Sequence, residues 1–205
     1  MLQLSLLGLL LCIASGCKNS PFHHVDTSSL DHAGMSYDAI QQLKQLNVTD
    51  AEVAEVAKAK EGGFSDSTCV ELVRIARHQG HPFDFADPVV NLLQVGMSEP
   101  DILEIARLNQ LGLEAGELQA IRLTGASDSI VVEVARKHAA GLPVLSGPSI
   151  AQLMNTTISR QTILDLIRRD VPDDQAQVII KMKRHRMSDA EILRHYPGPV
   201  TTARN

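Results

Sequence analysis

From Ser36 onward, apolar residues return every three or four positions in short runs, and a Ser or Thr stands just ahead of most of them. The stretch from Gly96 to Leu108, GMSEPDILEIARL, is the clearest example. Gly96 closes one segment, and Ser98 is placed to accept a hydrogen bond from a backbone N–H one turn into the next helix. Glu99 and Asp101 put negative charge in the first turn, where the helix dipole favours it, and Pro100 lies early enough to cost no internal hydrogen bond. Ile102, Leu103, Ile105, Ala106 and Leu108 then make one apolar face, and Met97 can pack back onto it.

The same phrase predicts helix starts at Ser36, Thr49, Ser65, Ser98, Ser127, Ser159 and Ser188. An acid follows the cap directly at Asp50, Asp66, Glu99, Asp128 and Asp189. Residues 84–95, 113–123, 148–154 and 173–182 supply further helical periodicity. No stretch alternates with period two for long enough to be a strand, so the fold class is all-α: short amphipathic helices over residues 35–196, followed by a tail at 197–205. A shift of 61 residues lays Gly80, Pro82, Leu92, Ser98, Ile102, Leu103 and Arg107 on Gly141, Pro143, Leu153, Ser159, Ile163, Leu164 and Arg168. That is the pattern of a duplicated pair of helical hairpins stacked in an array. A compact multi-helix bundle with incidental similarity is the alternative.

The N-terminus follows a different pattern. Residues 1–13 are almost wholly apolar, carry no charge and run into Ala14-Ser15-Gly16-Cys17. The run is too short for a transmembrane span, which needs about 20 residues, and fits a secretory signal over residues 1–16. The segment resembles the lipobox of bacterial lipoproteins. Ala14 stands where that family usually has Leu, and the basic residues that usually open its signals are absent. The resemblance implies cleavage between Gly16 and Cys17, then a diacylglycerol thioether and an N-acyl chain such as palmitate on Cys17. It places the helical region in the cell envelope, outside the cytoplasm, with the lipid holding it to a membrane. Ala14 and Gly16 also satisfy ordinary signal cleavage, which would release a soluble exported domain. The polar residues 17–34 read as the lipidated cysteine and a flexible tether.

Composition narrows the function classes. Hydrophobic residues make up 44% of the chain, enough for a core, but aromatics are 3% with no Trp, so platforms for stacking sugars or bases are nearly absent. The net charge of −5 and the export signal argue against a nucleic-acid partner. Residues 1–159 hold 10 basic and 18 acidic side chains, whereas residues 160–205 hold 9 and 6. Lys181, Lys183, Arg184 and Arg186 are the densest basic cluster, near Arg168 and Arg169 in sequence. They read either as a patch for an anionic partner or as cations gathered at a helix C-terminus.

Candidate chemistry is sparse. The chain has no HExxH, GxSxG or P-loop, and no cofactor is expected. Cys69 has no partner cysteine beyond the signal region and reads as a small buried hydrophobe. His78 and His81, with Asp84 and Asp87 just beyond, are the nearest approach to a metal or acid/base pair. The sequence thus predicts a non-catalytic, membrane-anchored interaction or assembly module with a protein partner. The alternative is an exported small-molecule or metal-binding protein, or a degenerate hydrolase, built on His78 and His81.

Overall fold

The computed structural model describes residues 25–108 and 115–198. Among the described residues lie twelve α-helices, a one-turn 3-10 helix at Asp173–Gln175 and no strand. The helices are α1 (Ser28–His32), α2 (Tyr37–Gln45), α3 (Asp50–Glu61), α4 (Asp66–His78), α5 (Ala86–Gln94) and α6 (Glu99–Arg107). They continue as α7 (Ala115–Leu123), α8 (Asp128–Ala139), α9 (Gly147–Met154), α10 (Arg160–Arg168), α11 (Ala176–Arg184) and α12 (Asp189–His195). The signal region, Gly16 and Cys17 lie outside the described residues.

The caps explain where the helices begin. Ser36, Thr49, Ser65, Ser98, Ser159 and Ser188 each accept the backbone N–H three residues on. At Thr49 and Ser188 the N3 glutamate answers by accepting the cap's own N–H. Such a cap contributes about 1 kcal/mol. Ser127 departs from the expectation, since it starts α8 in extended backbone but its side chain makes no capping bond. Ser146, which the periodicity did not single out, caps α9.

The helices stack in two rows. The odd-numbered helices α1 to α11 pack each on the next odd one, the even-numbered α2 to α12 do the same, and hairpins such as α3–α4 and α7–α8 join the rows. Every substantial helix contact joins elements adjacent or next-but-one in the chain, which is an array rather than a bundle closed on itself. Leu72, Leu92, Ile102, Ile105, Ile121 and Ile130 are fully buried between the rows. Each contributes about 1.5–3 kcal/mol relative to exposure.

The odd-to-even corners repeat one design. Gly34, Gly63, Gly96 and Gly125 take left-handed backbone at the end of an odd helix. After the first three, the next N–H reaches back into that helix, from Met35 to Leu30, Phe64 to Ala59 and Met97 to Leu92. That next residue is buried (Met35, Phe64, Met97, Ala126), and the one after it is the serine that starts the even helix. Successive hairpins are stitched at the same place. The N–H of Ser36 donates to Asp66 (2.8 Å), that of Ser65 to Glu99, and those of Ser98 and Ser159 to Asp128 and Asp189 (3.0 Å each). Each of these four acids, the first residue of its own helix, thus serves that helix's dipole and the preceding hairpin together. At the fifth even helix the acid is replaced by Arg160.

The folded region begins earlier than the sequence predicts. Within the expected tether, α1 packs on α3 with Leu30 fully buried, and the N–H of Asp26 donates to Asp50 at 3.3 Å. A five-residue helix with one apolar side chain shows no periodicity, so only its contact with α3 defines it.

Candidate functional site

The two rows present different chemistry to solvent. On the even row, Arg107 pairs with Glu71 at 2.9 Å, Arg136 with Glu104, and Arg168 with Glu133 at 3.9 Å, each pair joining consecutive even helices. Within helices, Arg74 pairs with Glu71, Arg136 with Glu133 and Arg168 with Asp165. Exposed pairs of this kind contribute at most about 1 kcal/mol each, but together they lace α4, α6, α8 and α10 to one another along the row.

The odd row is different. Asn91 and Gln94 on α5, Ala120 and Leu123 on α7, Gln152 on α9 with Asn155 just past its end, and Gln177, Lys181 and Arg184 on α11 are all exposed, at spacings of three or four residues. Leu123 is 69% exposed, the largest apolar exposure on this row among the described residues. From α5 to α9 these positions are uncharged amides and small or apolar groups. Between α9 and α11 they border an open recess of about 550 Å³, lined by Gln152, Asn155, Thr157, Gln177, Lys183 and Arg184 among others. Gln177 donates to Gln152 across it at 2.5 Å.

The basic cluster divides in two. Lys183 is held 2.5 Å from Asp189, with its side chain only 15% exposed. Burial raises the Asp189 pKa, but the Lys183 ammonium and donors from Ser159 and Thr162 outweigh it and hold the carboxyl well below its ordinary range. Lys181, Arg184 and Arg186 are exposed and form no ion pair among the described residues. Their sequence neighbours Arg168 and Arg169 are otherwise engaged, Arg168 in the even-row ladder and Arg169 donating to the carbonyls of Leu193 (2.5 Å) and Tyr196 (2.8 Å). The amide-lined recess was not legible, because Gln and Asn carry no pattern of their own; only their outward helical spacing could have pointed to it.

His78 and His81 are not brought into a shared site. His78 lies exposed at the end of α4, while His81 sits half-buried edge-on to Phe85. Nδ1 of His81 lies 2.9 Å from the Pro82 carbonyl and Nε2 3.1 Å from the Gln79 side-chain oxygen. The acids Asp84 and Asp87 do not join them, and Asp87 pairs with Lys58 instead. Among the described residues no group of three His, Cys, Asp or Glu side chains is placed to hold a metal. Cys69 is fully buried on α4, and burial pushes its thiol pKa up to about 12, out of the range of a reactive thiolate.

No protein-family model matches the chain, and the search of curated proteins finds no match.

Proposed function

We propose that this protein is a lipid-anchored component of the bacterial cell envelope whose helical array acts by contact, as a non-catalytic interaction or assembly module. The observation that carries the reading is the contrast between the rows. Ion pairs lace consecutive even helices from α4 to α10, whereas the odd row from α5 to α9 holds out a strip of amides, small side chains and Leu123. Burying side chains of that kind against a partner costs less than burying charged ones, provided the amides find hydrogen-bond partners there. The anchor rests on the lipobox-like Ala14-Ser15-Gly16-Cys17, and no helix among the described residues is long and apolar enough to cross a membrane.

The test has two arms in a bacterial host. Intact mass and detergent partitioning compare the wild type with Cys17→Ser; the expected result is an acyl mass and detergent partitioning in the wild type only. If both forms stay aqueous at the mass of a chain starting at Cys17, the anchor is rejected. A photo-crosslinking amino acid at Leu123 is expected to capture a discrete envelope protein, and the same group at Arg74 on the even row is not. Equal or absent capture at both positions rejects the interaction role.

A further inference from the structure

Three features meet at the α9–α11 end of the odd row. The first is the recess, whose lining includes Gln152, Asn155 and Gln177 beside Arg184. Amide side chains both donate and accept, which matches the alternating N–H and C=O groups of an extended peptide backbone. The second is the group of exposed cations Lys181, Arg184 and Arg186, gathered within six residues and forming no ion pair among the described residues, whereas Arg107, Arg136 and Arg168 are each paired across consecutive even helices. The third is the backbone of Arg186. It sits at φ +64° in the odd-to-even corner where Gly34, Gly63, Gly96 and Gly125 stand in other hairpins. A side chain there costs about 1–2 kcal/mol relative to glycine, so the chain keeps an arginine at a position that favours none.

Resting on the interaction reading above, we propose that this end of the odd row docks an acidic, extended segment of a partner protein. Its carboxylates meet Lys181, Arg184 and Arg186, and its backbone meets Gln152, Asn155 and Gln177. Leu123, two helices away on the same row, offers an apolar contact for one of its side chains. Charge complementarity selects this occupant. The region before residue 160, with 18 acidic against 10 basic side chains, repels an acidic segment and steers it toward the basic end. A membrane surface fits less well. A helix lying on lipid needs its apolar face outward, and on α11 Ala176, Ile179 and Ile180 are buried in the array.

The test measures fluorescence polarisation of labelled peptide pools with the full chain in detergent. Peptides of about eight residues, roughly 27 Å when extended, cover the two interhelix steps of about 10 Å each from α7 to α11. One pool carries Glu at every third position and the other Lys. The acidic pool is expected to bind and the basic pool not. Binding should weaken about tenfold or more in Lys181→Glu/Arg184→Glu/Arg186→Glu and stay unchanged in Lys44→Glu, an exposed charge reversal on α2. Gln152→Ala/Gln177→Ala, which leaves net charge alone, should also weaken it. Matching thermal melts certify the folds, with Arg184→Glu alone as the milder variant. Equal binding by the triple variant, equal weakening by Lys44→Glu, or no preference for the acidic pool overturns the proposal. So does triple-dependent binding of phosphatidylglycerol vesicles without acidic-pool binding. Any of these beside successful capture at Leu123 overturns the docking site alone, whereas failed capture rejects the interaction reading itself.

Discussion

The carboxylate of Glu52, 1% exposed, accepts the backbone N–H of Phe83 at 3.0 Å and so ties α3 to the loop that leads into α5. The same group accepts the Thr49 N–H at 2.9 Å and pairs with Arg77 at 2.7 Å. One side chain therefore closes a helix cap, holds the end of α4 and positions the next hairpin. Glu52→Gln keeps the size and loses the charge, leaving Arg77 and one backbone donor poorly matched. The expected loss is about 2–3 kcal/mol in urea unfolding. Arg77→Ala should cost less, because Arg77 is 34% exposed and water replaces part of what it gives.

Acid should loosen the array from its stitches. Lys60, then Ser36, hold Asp66 at about 2 against an ordinary 3.8. Glu99 and Asp173 also lie below their ordinary values, with burial opposing and donors from Ser65 and Thr68, or from Ser149 and Ser146, prevailing. A carboxyl depressed in the folded state binds its proton more readily when unfolded. Its contribution is therefore complete above the ordinary carboxylate range and is lost as pH falls through the folded value. The urea midpoint should be flat from pH 7 to about 5 and fall steeply toward pH 2. Asp66→Asn should lower the midpoint at neutral pH and flatten that fall; an unchanged slope would remove Asp66 from the account.

Much of this architecture was written locally and some was not. The Gly-Met-Ser and Gly-Phe-Ser corners encode turn, buried apolar residue and cap within three positions, so helix starts at Ser36, Ser65 and Ser98 could be read directly. The stitch from the Ser98 N–H to Asp128 joins residues 30 apart and leaves no local trace beyond an acid that its own helix already explains. The leading helix α1 carries a single apolar residue, and Ser146 is followed by Gly147-Pro148 rather than by an acid, so neither shows the cap-and-acid phrase that marks the starts of α3, α4, α6, α8 and α12. At the candidate site the basic cluster was legible, but not that Asp189 removes Lys183 from it while Lys181, Arg184 and Arg186 form no ion pair among the described residues. That division depends on a pairing between α11 and α12, which spacing does not reveal.

Close packing between α3 and α5 sets a third expectation. A Cβ added at Gly62 would meet the two methyl carbons of Val90 at 2.5 and 2.9 Å. Valine is β-branched and stiff at χ1, so it cannot turn both methyls away. Gly62→Ala should cost about 1–3 kcal/mol by overpacking, even though the backbone there is right-handed. Val90→Ala in the same background should recover most of the loss. Failure to recover would mean that the cost arises elsewhere.

The last expectation separates stability from recognition at one residue. Arg186 holds φ +64° between α11 and α12, and its exposed side chain makes no ion pair among the described residues whose loss would offset relief of the backbone. The corner's own bonds, from the Arg186 N–H to Lys183 and the Met187 N–H to Met182, are backbone to backbone and survive any side chain. Arg186→Gly should therefore raise stability by about 1 kcal/mol, part of the gain being offset by glycine's freedom in the unfolded chain. Arg186→Ala relieves no left-handed strain and should leave the unfolding midpoint nearly unchanged. The proposed docking site makes the opposite demand, since either variant removes one of the three cations and should weaken the acidic pool equally. A variant more stable than wild type yet poorer in binding would show that the strain at this corner is retained for its charge. Equal binding by wild type, Arg186→Gly and Arg186→Ala would leave the left-handed arginine without a role in recognition.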